Sequence, residues 1–104
     1  MTTFDDRENA FEAKFAHDEE MKFKAEARRN KLLGLWAADI LGKTGEAAEA
    51  YAKEVIVADF EEAGDEDVFR KVKADLGGRV DDQKIRAQMA DLMREAKRQL
   101  LEES

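Results

Sequence analysis

A chain of 104 residues with no Cys and a formal net charge of −7 favours one domain around a single modest core. This composition excludes a disulfide framework, a thiolate metal cage and a cysteine nucleophile, and it weighs against nonspecific binding of nucleic acid or anionic lipid. The absence of Pro and the scarcity of β-branched residues favour helix. Met1-Thr2-Thr3-Phe4-Asp5-Asp6 lacks the basic and apolar regions of a signal peptide, and no apolar run approaches the length of a membrane span.

The pattern predicts a first helix from Thr3 to Leu41. Thr3 is the candidate N-cap, and Asp5, Asp6 and Glu8 suit a helix N-terminus. Apolar density is uneven along this stretch. Leu32, Leu33, Trp36, Ala37, Ile40 and Leu41 give a broad apolar face, which Phe23, Ala27 and Met21 extend backward. Before Met21 only Phe4, Phe11, Phe15 and small alanines stand among interleaved charges. Gly42 suits a left-handed C′ residue, and Thr44 reads as the next N-cap.

The second helix is predicted over about residues 45–61, with Ala48, Tyr51, Ala52, Val55, Ala58 and Phe60 on its core side. Val55-Ile56-Val57 alone is compatible with a strand, but its Ala- and Glu-rich surroundings favour helix. Gly64 breaks the pattern and Asp65 reads as an N-cap. A third helix then carries Val68, Phe69, Val72 and Leu76 on one face and stops at Gly77-Gly78. Asp81 caps a fourth helix, in which Ile85, Met89, Leu92, Ala96 and Leu100 form one stripe; Val80 and Ile85 have hydrophobic-staple spacing. Short loops make successive helices antiparallel neighbours, so the fold class is an all-α four-helix bundle.

At 1.5 Å per residue the first helix would be about 55 Å long, against roughly 26, 18 and 30 Å for the other three. The Gly42 turn pins its C-terminal end to the bundle, so its N-terminal end is the part left uncovered. The expectation is a helix ordered from about residues 17–23 to Leu41 and frayed before that, the frayed part becoming helical on a partner. Phe11 and Phe15, four apart on one face, are then stranded. Their burial on a partner supplies on the order of 3–6 kcal/mol before ordering costs.

Chemical motifs are sparse. Gly42-Lys43-Thr44 matches the end of a phosphate-binding loop, but Ala37 stands where the motif needs its first Gly, and a helix precedes it where a strand belongs. Lys43 and Thr44 remain a candidate anion site only as a helix N-terminus, with adenine nucleotide as the weak ligand considered. Asp59, Glu61, Glu62, Asp65, Glu66 and Asp67 suggest calcium, yet Arg70 occupies the position that requires a bidentate Glu. His17, the only histidine, lacks zinc or triad partners, and Lys14 stands where a di-iron bundle needs Glu. It reads as a surface residue, or as a titrating modulator of helix formation. Arg28, Arg29 and Lys31 form a basic spot that meets an acidic surface, on a partner or on the chain's own acidic loop, or else stands as ordinary solvated helix charge. Trp36 and Tyr51 read as core aromatics. No metal, cofactor or enzymatic activity is expected.

The runs Glu12-Ala13-Lys14-Phe15-Ala16-His17-Asp18-Glu19-Glu20 and Phe23-Lys24-Ala25-Glu26-Ala27-Arg28-Arg29-Asn30-Lys31-Leu32-Leu33-Gly34 resemble the zeta-subunit family. So do Trp36-Ala37-Ala38, Gly42-Lys43-Thr44-Gly45 and Gly64-Asp65-Glu66-Asp67-Val68-Phe69-Arg70-Lys71, and the resemblance covers essentially the whole chain. Members inhibit the F-type ATP synthase of alphaproteobacteria. The resemblance implies a four-helix domain over residues 20–104 and a mobile segment over residues 1–19, helical on binding, that wedges between an alpha and a beta subunit of the catalytic head and contacts the gamma stalk. It implies partner contacts at Phe4, Arg7, Phe11, Lys14, Phe15 and His17. It also implies a cytoplasmic protein, peripheral on the membrane-bound enzyme, that blocks hydrolysis more than synthesis. Two other classes fit the residues alone: a helical adaptor binding another partner through Phe11 and Phe15, and a nucleotide-responsive regulator.

Overall fold

The computed structural model describes residues 19–59 and 65–103. The Thr3 cap, the segment over residues 1–18 with all six partner-contact positions, Phe60 and Gly64 lie outside these described residues. Four helices account for most of what is described: α1 over Glu19–Ile40, α2 over Gly45–Ala58, α3 over Glu66–Leu76 and α4 over Asp82–Glu103. No strand occurs among the described residues.

Each turn follows from local chemistry. After α1, Gly42 adopts a φ of +78°, a left-handed conformation that costs a residue without Cβ little. The Lys43 N–H then reaches the Ala38 carbonyl at 2.8 Å and the Gly42 N–H reaches that of Asp39 at 3.1 Å. Both orphan carbonyls are satisfied in a Schellman closure. Gly77, also left-handed, closes α3 with its N–H on the Lys73 carbonyl. At the start of α4 the Asp81 carboxylate accepts the Lys84 N–H at 2.8 Å, as an N-cap should.

Two expected caps work differently. Thr44 has the extended backbone of an N-cap, but its hydroxyl makes no capping bond. Asp65 occupies the N-cap position of α3, yet its carboxylate turns away to Arg29, 2.8 Å from Nη2. The Val68 N–H is taken instead by Asp67 at 2.9 Å. α2 is described as far as Ala58, with Asp59 at its C-cap beside Asn30 and Arg29; the expected continuation to Glu61 lies outside the described residues.

The main core lies where all four helices meet. Leu33 and Ala37 of α1, Tyr51 and Val55 of α2, Val68, Phe69, Val72 and Leu76 of α3, and Ile85 and Met89 of α4 are buried together. Trp36, Ile40, Leu41, Ala48, Val80 and Leu92 are half-buried against them. α1 touches each of the other helices, while α3 bridges α2 and α4 on the opposite side. Where α1 crosses α2, Gly34 admits close backbone approach: a Cβ there would stand 2.6 Å from the Ala52 Cα.

The backward extension of the α1 face through Phe23 and Ala27 is not what forms. Phe23 is 58% exposed, and the buried line runs Ala25, Arg29, Leu33, Ala37 at strict spacing of four. A helix that buries Leu33 places Arg29 and Ala25 on the same inner line. The charge on Arg29 disguised that register in the sequence.

Candidate functional site

Two places on α1 have a built arrangement of side chains: its first two turns, and the buried arginine one turn further on.

At the first turns, α1 is held by the end of α4. Ala25 and Leu100 are buried against each other, with Met21, Met93 and Leu101 packed around them. Next to this apolar contact Arg28 reaches across. Its Nη1 and Nη2 donate to the two carboxylate oxygens of Glu103, each at 2.9 Å, and Nη1 also donates to Gln99 Oε1 at 2.8 Å. The bidentate fork fixes angle as well as distance. Gln99 presents its oxygen to Arg28 because its amide nitrogen donates to Glu95 at 3.1 Å. The Arg28 hydrogen bond holds the Glu103 carboxyl below its usual range, and bonds from Arg98 and Gln99 bring Glu95 down to about 2.

One turn inward, Arg29 is 2% exposed, and its line continues into the main core at Leu33. Its Nε donates to Asn30 Oδ1 at 2.6 Å and its Nη2 to Asp65, which is about half exposed. Asp59 lies beside the same group, and Asp67 lies close to Asp59. Burial pushes the Asp59 carboxyl up, against the opposing pull of Asn30 and Arg29. Asn30 Nδ2 is buried and makes no hydrogen bond of ordinary geometry to a described residue. The basic spot is therefore not simply solvated charge. Arg28 binds α4, Arg29 binds the chain's own acidic loop, and only Lys31 stays exposed. The spacing Ala25-Arg29-Leu33 was the available signal for Arg29. Nothing local pairs Arg28 with a residue 75 positions away.

Lys43 and Thr44 share the turn between α1 and α2 and are both exposed. The Lys43 N–H closes α1, the Thr44 carbonyl accepts from Ala47 and Ala48, and Glu46 puts a carboxylate in the first turn of α2. That carboxylate competes for the dipole an anion would use. Among the described residues no cluster of His, Cys, Asp or Glu is arranged to hold a metal ion. Likewise, no described helix is long and apolar enough to cross a membrane.

The family model described as ATPase inhibitor subunit zeta matches residues 1–99. A solution NMR structure is similar over 81% of this chain and 99% of its own, at 60% identity with a TM-score of 0.76. No curated protein matches the chain. With nearly its whole length matched, and with four helices as the resemblance implied, the chain belongs to the family of ATPase inhibitor subunit zeta.

Proposed function

We propose that this protein is a noncatalytic inhibitor of ATP hydrolysis by the F-type ATP synthase, acting through its N-terminal segment. In this reading residues 1–19 wedge into a catalytic alpha/beta interface and contact the gamma stalk. Phe4, Arg7, Phe11, Lys14, Phe15 and His17 make the contacts, and the four-helix domain stays outside as the handle. The protein works in the cytoplasm, peripheral on the membrane-bound enzyme.

The observation that carries the reading is the extent of the family match. It begins at residue 1 and so includes the segment that runs directly into α1. A wedge needs such a segment joined to a body too bulky to follow it. Most of the binding energy then comes from a few aromatic anchors, which Phe11 and Phe15 supply.

The test is a titration into the cognate ATPase. Turnover is expected to fall to a plateau with the full chain and to stay unchanged with a chain lacking residues 1–18, whose helical circular dichroism persists. Undiminished turnover at saturating full-length protein overturns the proposal.

A further inference from the structure

We propose that the last turn of α4 is a brace that fixes the first turns of α1, the helix to which the N-terminal segment is joined, with Leu100 and Glu103 as positioning residues. The role in inhibition rests on the function proposed above; the brace itself does not. Leu100, Leu101 and Glu103 lie past the stretch that the family model matches, so family membership does not imply it.

The first turns of α1 and the last turn of α4 depend on each other. Among the described residues the apolar contact comes from these two helices: Met21 and Ala25 from one, Met93, Leu100 and Leu101 from the other. The end of α4 is also electrostatically awkward on its own. Its last turn has no basic residue and carries Glu102 and Glu103, which meet the negative end of the helix dipole. Arg28 from α1 places a guanidinium there, and Arg98 pairs with Glu102. α4 therefore needs α1 to finish its last turn. In return, α4 gives the first turns of α1 their buried face.

The geometry makes this contact an orienting one. A single apolar contact leaves a helix free to swivel. Adding a planar fork from Arg28 to both oxygens of Glu103, and a third bond to Gln99, removes that freedom. The contact holds Met21, Ala25 and Arg28, in the first three turns of α1, the helix to which the N-terminal segment is joined. A fixed start of α1 lowers the ordering cost of extending that helix into a partner. Loosening the brace should weaken binding without changing what the bound segment does.

The test compares Leu100→Ala, Glu103→Gln and Leu100→Met in the full-length chain. One readout is amide hydrogen exchange over residues 19–27, referenced to the main-core amides of Val55, Val72 and Ile85. The other is the concentration of protein giving half-maximal inhibition of the cognate ATPase. Leu100→Ala is expected to speed exchange over residues 19–27 by about tenfold or more, because truncating a buried leucine shifts the local opening equilibrium by at least that factor. The main-core amides should not move. Glu103→Gln gives a smaller change in the same amides, and Leu100→Met restores protection. The half-maximal concentration should rise in the same order, with maximal inhibition unchanged. Unchanged exchange over residues 19–27 overturns the brace, as does exchange that rises equally across all four helices. Raised exchange with an unchanged half-maximal concentration overturns the positioning role. A wild-type chain that never inhibits overturns the function proposed above, and exchange alone then decides the brace.

Discussion

The main core draws buried side chains from all four helices, whereas the cluster at the start of α1 draws on two. Between them the inner line of α1 is interrupted by the buried guanidinium of Arg29. On the α1 side the two apolar regions are thus separated by a polar belt that reaches Asp65, Asn30 and the surroundings of Asp59, while on α4 the buried Ala96 continues the stripe from Met89 to Leu100. Apolar contact is what makes neighbouring layers unfold together, and the belt weakens that coupling along α1. The smaller region can therefore open while the larger one holds, since local stability follows local packing.

The largest effect should separate the regions outright. Leu33 is fully buried in the main core, so Leu33→Ala should cost about 2–5 kcal/mol through lost transfer energy and a residual cavity. Urea unfolding followed at Trp36 should shift to a markedly lower midpoint, and amides of all four helices should lose protection together. If only α1 lost protection, the main core would not be the cooperative unit described here.

A smaller effect sharpens the role of the α1–α2 crossing. On an exposed helix Gly→Ala is stabilising by roughly 0.5–1 kcal/mol. At Gly34 the added carbon would lie 2.6 Å from the backbone of Ala52, which cannot move aside as a flexible side chain does. Gly34→Ala should therefore destabilise by about 1–3 kcal/mol as the helices are forced apart. A gain in melting temperature would show that the crossing is looser than this distance says.

Much of this was legible in the sequence, for reasons specific to each element. Ile85, Met89, Ala96 and Leu100 are buried as the stripe on α4 required, and Val68, Phe69, Val72 and Leu76 as the face of α3 required. Those patterns are local and apolar. Gly42 and Gly77 were readable as closures because a left-handed residue after a helix is a backbone demand. Two of the failures involve charged side chains with two uses. Asp65 is sited as a cap and binds Arg29 instead; Arg29 looks solvated and is buried. Propensity ranks each residue alone, while a carboxylate beside a buried guanidinium answers to a partner 36 positions away. The fork from Arg28 to Glu103 is illegible for the same reason. It exists only once α4 has folded back along α1.

Acid provides the mildest probe of the two regions, and the signs differ between them. In the folded chain the Arg28 hydrogen bond holds the Glu103 carboxyl below 4.5, its ordinary value. A carboxylate lowered on folding stabilises fully above that ordinary value and loses its contribution as the pH falls through the depressed one. Glu103 faces Arg28, with Gln99 on the same guanidinium, so protonating it opens the fork. Asp59 behaves in the opposite way. Burial raises its carboxyl, so its own protonation as the pH falls relieves a penalty. Between about pH 5 and pH 2 the Ala25 and Leu100 methyl resonances should shift with the midpoint of the Glu103 carboxyl carbon. The Leu33 and Leu76 methyls should not follow that midpoint. Glu103→Gln should flatten the Ala25 response. An Ala25 methyl that ignores Glu103, or a Leu76 methyl that tracks it, would mean the polar belt does not divide the molecule.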